Sequence, residues 1–97
     1  MTMRWSQRAL GRAGEIADYI AERDEDAASN WIDALFETVD KLEEFPKLGR
    51  IVPEFAQEEV RELIWNHYRI LYQLRNGDVE ILTVVHARQN LTDDEIS

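Results

Sequence analysis

Cysteine is absent from the chain, which excludes a disulfide framework and any thiolate metal site. Histidine is nearly absent. With only His67 and His86, a zinc site would have to be built largely from carboxylates. No glycine-rich phosphate loop and no His-Glu-x-x-His spacing occurs, so neither a cofactor nor a metal is expected. No apolar run approaches the roughly 20 residues of a membrane span. The opening MTMRWSQRAL lacks the apolar core of a signal peptide. A cytoplasmic protein with no membrane partner is the expectation. Lysine is scarce as well: of 11 basic residues only Lys41 and Lys47 are lysines, and the rest are arginines.

Acid is what the chain has in excess. Its 20 acidic residues give a formal net charge of −9. Non-specific affinity for a nucleic-acid backbone comes from Lys and Arg, so any such contact must come from a local patch against an unfavourable global field. An acidic, lysine-poor surface also fits a high-salt cytoplasm. With 44% apolar residues in a length of 97, one small core and a single domain over residues 1–97 are expected. No internal repeat or low-complexity segment is present.

Periodicity then orders the chain. Met3 to Trp5 reads as a short strand, and Ser6 as the N-cap of a helix. Leu10, Ala13, Ala17 and Ile20 recur at helical spacing, with Ile16 beside them. Gly11 and Gly14 weaken this helix by about 1 kcal/mol each, unless they let a neighbouring helix approach closely. Asp24-Glu25-Asp26 interrupts the pattern and caps a second helix, whose stripe is Ala28, Ile32, Leu35, Val39 and Leu42. Pro46 ends it, because Phe45 before a proline is biased away from helix. The short connection predicts an antiparallel helical hairpin. PKLGRIVPEF, from Pro46 to Phe55, holds both prolines and reads as a shaped loop. Thr92 and Glu95 have capping-box spacing for a last helical turn.

Three strand-like runs follow the loop: VRELIW, HYRILYQLR and DVEILTVVHAR. Asn76-Gly77 between the second and third is a strong hairpin signal. A two-residue turn there sets Arg75 opposite Asp78, Tyr72 opposite Ile81 and Arg69 opposite Val84. Tyr68, Ile70, Tyr72 and Leu74 then share an apolar face with Val79, Ile81, Thr83 and Val85. The other face carries Arg69, Leu71 and Gln73 with Glu80, Leu82, Val84, His86 and Arg88. Function is therefore sought on this second face, where Arg69, His86 and Arg88 gather.

Each candidate has a plainer reading. Arg69 either pairs with Glu62, which a turn at Asn66-His67 would bring to the same face, or binds an anion. His67 reads as an exposed turn residue. His86 fits an acid or base near neutral pH, and Arg88 a bidentate phosphate contact; either is also an ordinary surface residue. Trp5, Trp31 and Trp65 read as core anchors rather than base-stacking platforms. Leu71, Leu82 and Val84 form an apolar strip on the second face, and such a strip calls for a cover: a partner segment, a second copy or the C-terminal turn.

These pieces resemble the RelE/ParE superfamily of type II toxins, the ParE branch most closely. The resemblance runs from Met3 to about Gln89, through DYIAERDEDAASNWIDAL, FPKLGRIVPEF, VREL, YRILYQL and VVHAR. It implies an α+β fold in the order β-α-α-β-β-β, with an N-terminal helical hairpin packed on one face of an antiparallel sheet. It implies a toxin neutralised by a cognate antitoxin, through an extended or helical C-terminal segment, with a toxin homodimer or toxin–antitoxin heterotetramer as candidate assemblies. ParE-type members poison DNA gyrase without metal or cofactor. The ribonuclease branch instead cuts mRNA on the ribosome. Under that alternative Arg69, in the place of the arginine of its "YRxxY" strand, would be catalytic together with His86 and Arg88. The central loop offers Lys47 and Arg50 but no lysine cluster, and no tyrosine follows Tyr72. The ParE-like reading is therefore preferred. Under it Arg50, Arg61, Leu71, Leu82 and Val84 are the expected partner-binding residues. A degenerate, non-toxic antitoxin-binding module is the third reading.

Overall fold

Ser6 begins the first helix as its sequence predicts. In the computed structural model, which describes residues 2–96, its Oγ accepts from the Ala9 amide at 3.0 Å. Strand β1 (Met3–Trp5) precedes it, and α1 spans Gln7–Ala21. Asp24 caps α2 (Glu25–Glu44) by accepting from the Ala27 amide at 3.0 Å. Glu25 and Asp26 place negative charge on the first turn, where the helix dipole favours it. The chain leaves the helix at Phe45, ahead of Pro46.

Strands β2 (Arg50–Ile51), β3 (Val60–Trp65), β4 (Tyr68–Arg75) and β5 (Asp78–His86) complete a sheet in the order β1-β5-β4-β3-β2. The α+β arrangement matches the expectation in its main elements. Two features differ. The sheet is mixed rather than wholly antiparallel, because β1 runs parallel to β5. The central loop also contributes β2, a two-residue edge strand paired with Arg61 and Glu62. The approach of β2 depends on Gly49. A Cβ there would lie 2.5 Å from the Glu62 carbonyl oxygen and 2.8 Å from the Tyr72 ring. The Gly49 amide instead donates to the Tyr72 hydroxyl, which donates in turn to the Pro46 carbonyl, both at 2.8 Å.

Asn76 and Gly77 both have positive φ, 52° and 83°, as a two-residue hairpin turn of this hand requires. The register holds from Arg75↔Asp78 to Tyr72↔Ile81 and then slips. Leu71 faces Thr83, so Leu82 is an extra residue on β5. Such a bulge moves every following side chain to the opposite face. Arg69 consequently pairs with Val85, not Val84. The carbonyl of Leu82 finds a donor in the Ser6 hydroxyl at 2.8 Å.

One core lies between the helices and the sheet. It joins Ala9, Ala13, Leu35, Val39 and Leu42 to Leu63, Ile70, Tyr72, Val79, Ile81 and Val84. Trp5 packs on Phe36 with ring centroids 4.9 Å apart, and Trp31 on Trp65 and Tyr68 at 5.7 and 5.4 Å. The tryptophans thus serve as anchors at the margin of this core. The buried stripe of α1 runs through Ala9 and Ala13 with Ile16 packed beside them, while Leu10 is 49% exposed. Gly11 and Gly14 face open space, so they do not mediate a close helix approach.

A second cluster occupies the far face of the sheet: Val52, Val60, Leu71, Leu82, Val85 and Leu91, with Phe55 and Ile96 against them. Of the three covers expected for the apolar strip, the C-terminal segment is the one the fold supplies, together with the 52–55 loop. Val84 is not part of the strip. The bulge turns Val84 into the helix-side core and brings Val85 to the far face.

Candidate functional site

Arg69 stands on β4 among apolar neighbours, and the fold answers its charge with two carboxylates. Its Nε donates to Glu62 Oε1 at 2.5 Å. Its Nη1 and Nη2 grip the two oxygens of Glu54 at 2.7 and 2.8 Å. Nη1 also donates to the Gln89 carbonyl at 3.0 Å. The side chains of Arg69 and Glu62 are 6% and 0% exposed. Arg50, on the edge strand, completes the set with Nε 2.8 Å from Glu62 Oε2. Two arginines thus neutralise two glutamates. The hydrogen bonds from Arg69 hold the Glu54 carboxyl at about 2, against an ordinary 4.5, and the same contacts raise the Arg69 guanidinium above its usual range.

This network answers the question posed by Arg69 in the sequence. Its pairing with Glu62 is real, and each of its three guanidinium nitrogens already donates to a protein oxygen. A fork so occupied cannot also clasp a phosphate.

The three residues expected to gather do not share a face. Tyr68 is directly opposite His86 and belongs to the helix side, its ring centroid 6.1 Å from the imidazole. Arg69, the next residue, points to the far face with Glu62 and Glu54. The bulge at Leu82 is the cause: without it His86 would lie on the face of Arg69. His86 is exposed, and its Nδ1 accepts from the Arg88 amide at 3.3 Å. Arg88 is exposed too, and its guanidinium has no partner among the described residues. His67 is exposed in the Asn66-His67 turn, as expected.

The expected partner-binding residues also divide. Arg50 is exposed but tied to Glu62. Arg61 is half-buried and donates to the carbonyls of Gly49 and Glu58 at 3.0 and 3.1 Å. Leu71 and Leu82 are buried under the C-terminal segment, and Val84 under the helices. The large apolar side chains that do reach solvent were not singled out in the sequence. They include Tyr19, Phe45, Leu48, Ile51 and Ile64, which are 65, 56, 52, 40 and 54% exposed. Phe45 and Leu48 line an apolar recess of about 740 Å³ with Pro46 and Leu74. Tyr19 and Ile16 face Tyr68 and His86 across a second groove, between α1 and the end of β5. Among the described residues no group of three or more His, Asp or Glu is arranged to hold a metal ion.

Residues 3–91 match the family model described as the ParE toxin of the type II toxin–antitoxin system, parDE. The chain belongs to the ParE toxin family. A curated relative from Sinorhizobium fredii (strain NBRC 101917 / NGR234), named "Putative toxin Y4kP", is 42% identical over 89 residues, covering 90% of this chain and 88% of the relative. A solved structure described as "Chromosomal ParDE TA system from P. aeruginosa" superposes with a TM-score of 0.76 at 19% identity, covering 91% of this chain and 97% of the other. At that identity the likeness is one of fold. The span matched to the ParE family holds both helices and all five strands. It stops at Leu91, so Thr92 to Ile96 lie outside it.

The ParE-family scaffold in this chain thus carries two distinct kinds of charge. Arg50 and Arg69 are bound into the fold. Arg88, beside His86, is at liberty on the surface. Glu54 carries no signal in the sequence and Glu95 reads there only as a capping-box residue, since each meets its arginines through long-range contacts.

Proposed function

We propose that this ParE-family toxin acts in the cytoplasm by binding DNA gyrase, not by cutting RNA, and that a cognate antitoxin neutralises it. The observation that carries this reading is the engagement of Arg69. A ribonuclease of the related branch needs a free cation there to stabilise phosphate charge, and here that guanidinium is spent on Glu54 and Glu62. The net charge of −9 argues in the same direction, against docking on ribosomal RNA. Exposed Phe45, Leu48, Ile51 and Ile64 suit protein partners. Arg88, with the Tyr19–Tyr68–His86 groove beside it, is the contact we assign to the target.

Purified chain added to gyrase should block supercoiling or accumulate cleavage complexes, and the antitoxin should relieve the effect. Arg88→Glu should weaken inhibition at least about tenfold while leaving the fold intact. Codon-phased cuts in translated mRNA, with gyrase unaffected, would overturn the proposal in favour of the ribonuclease reading.

A further inference from the structure

A second cluster of buried charge lies away from Arg69. Glu95 is 7% exposed, close to the C-terminus of the described chain. Both of its carboxylate oxygens accept from Arg12 Nη1, at 2.7 and 2.8 Å. Arg8 Nη1 is 3.4 Å from Oε2 and also donates to the Asp94 carbonyl. Arg12 reaches Thr83 Oγ1 as well, at 2.6 Å. These arginines sit one turn apart on α1, so they meet a single carboxylate together. At the other end of the segment the Leu91 amide donates to Glu54 Oε2 at 3.1 Å, and the Gln89 carbonyl accepts from Arg69. Between the two ends Leu91 and Ile96 rest on the far-face cluster of Val52, Leu71, Leu82 and Val85.

Residues 89–96 therefore form a strap that is clasped at both ends by side chains and adds no strand to the sheet. Its only regular structure is a single 3-10 turn, Asp93–Glu95, and Thr92 supplies no side-chain cap to it. The expected capping box does not form, because Glu95 is drawn away to Arg8 and Arg12. A segment with so few backbone bonds opens at lower free energy than the strands beneath it. Lifting it would bare an aliphatic floor and the two arginines that hold Glu95.

We propose that the trough under the strap is a docking site for an extended segment of a partner protein, one carrying a carboxylate flanked by aliphatic side chains. The strap fills that site in the free chain and sets the pattern an incoming segment must reproduce: an aliphatic residue, an acid four positions on, and an aliphatic residue next to it. An acidic segment is repelled by the net charge of −9 only at long range. At physiological ionic strength charges beyond about 8 Å are largely screened, so the adjacent arginine pair decides the contact. The inference stands on the clasp and is independent of the gyrase reading.

The test uses the full-length chain bearing Glu95→Gln and a fluorescent peptide of sequence RQNLTDDEIS, the chain's own residues 88–97. The peptide should bind this variant saturably. It should bind the wild-type chain about tenfold or more weakly, since the intact strap leaves only a small fraction of the trough vacant. A peptide with lysine in place of its glutamate should lose binding. Absence of saturable binding at millimolar peptide, or equal binding by the lysine peptide, would overturn the proposal. Hydrogen exchange on the wild-type chain gives a reading that needs no variant. The Leu91 and Ile96 amides should exchange well before those of β4 and β5, and exchange only through global unfolding would show that the strap does not open.

Discussion

Arg69→Met should cost about 3 kcal/mol of folding stability, and the structure says where the cost arises. Removing the guanidinium releases two glutamates with different fates. The Glu54 side chain is 24% exposed and can turn to water. The Glu62 side chain is fully buried and cannot. It keeps one partner, Arg50, whose own side chain is 59% exposed. Breaking a buried pair and leaving one charge behind typically costs about 3–5 kcal/mol. The surviving Arg50 contact places Glu62 below that range, at about 2 kcal/mol, and loss of the bond to the Gln89 carbonyl adds about 1 kcal/mol. Urea unfolding followed by the fluorescence of Trp5, Trp31 and Trp65 would measure the difference directly. The double variant Arg69→Met with Glu62→Leu removes both charges and should regain most of the loss. If the single variant stayed within about 0.5 kcal/mol of the parent, as a solvated surface residue would, the network would not be a structural element. Arg69 would then have to be returned to the functional candidates.

Acid should weaken the same network. The folded Glu54 carboxyl titrates at about 2 against an ordinary 4.5, so its contribution is complete above about pH 4.5 and is lost as the pH falls towards about 2, amounting to about 2 kcal/mol after allowance for its partly wet side chain. Denaturation curves at steps across that window would test this, and a smaller slope is expected in Arg69→Met. Gly11→Ala and Gly14→Ala should each raise stability by about 1 kcal/mol, additively, since both positions are helical and open; a loss on thermal melting would contradict the packing described. Gly49→Ala should cost about 1–3 kcal/mol, because the new methyl meets the Glu62 carbonyl and the Tyr72 ring. An unchanged melting temperature would mean that β2 is not held as described.

Local signals in this chain were legible where local chemistry decides the outcome. Ser6, Asp24 and Pro46 bound the helices because capping and proline geometry act over a few residues. Asn76-Gly77 set the first four β4–β5 pairs for the same reason. The register then failed at Leu82, whose carbonyl is satisfied by Ser6, 76 positions earlier in the chain. No window along the sequence contains that bond. The consequence reached the candidate site directly, since the bulge sent Val84 into the core and parted His86 from Arg69. Arg69 itself was half legible. Glu62 lies one turn away along a hairpin, but Glu54 arrives from a loop. The parallel pairing of β1 left no trace either, because three residues of strand read the same in both directions. The strap was legible in part: a C-terminal turn stood among the expected covers of the strip, but the clasp of Glu95 by Arg8 and Arg12 spans more than 80 positions and shows in no local window.

The place of β5 in the sheet constrains the order in which this protein acquires its shape. The last long strand to be synthesised is an inner one, flanked by the first strand on one side and β4 on the other. The β3–β4–β5 meander rests on short-range contacts and is suited to form early, whereas β1 must wait for a partner some 76 residues later in the chain. Until Asp78 to His86 have left the ribosome, α1 lacks the strand it packs against and Arg12 lacks both Thr83 and Glu95. A nascent chain cut short before β5 lacks the strand that seats its N-terminus. A chain that ends before β5 is therefore expected to leave both its N-terminal strand and α1 without the strand they pack against.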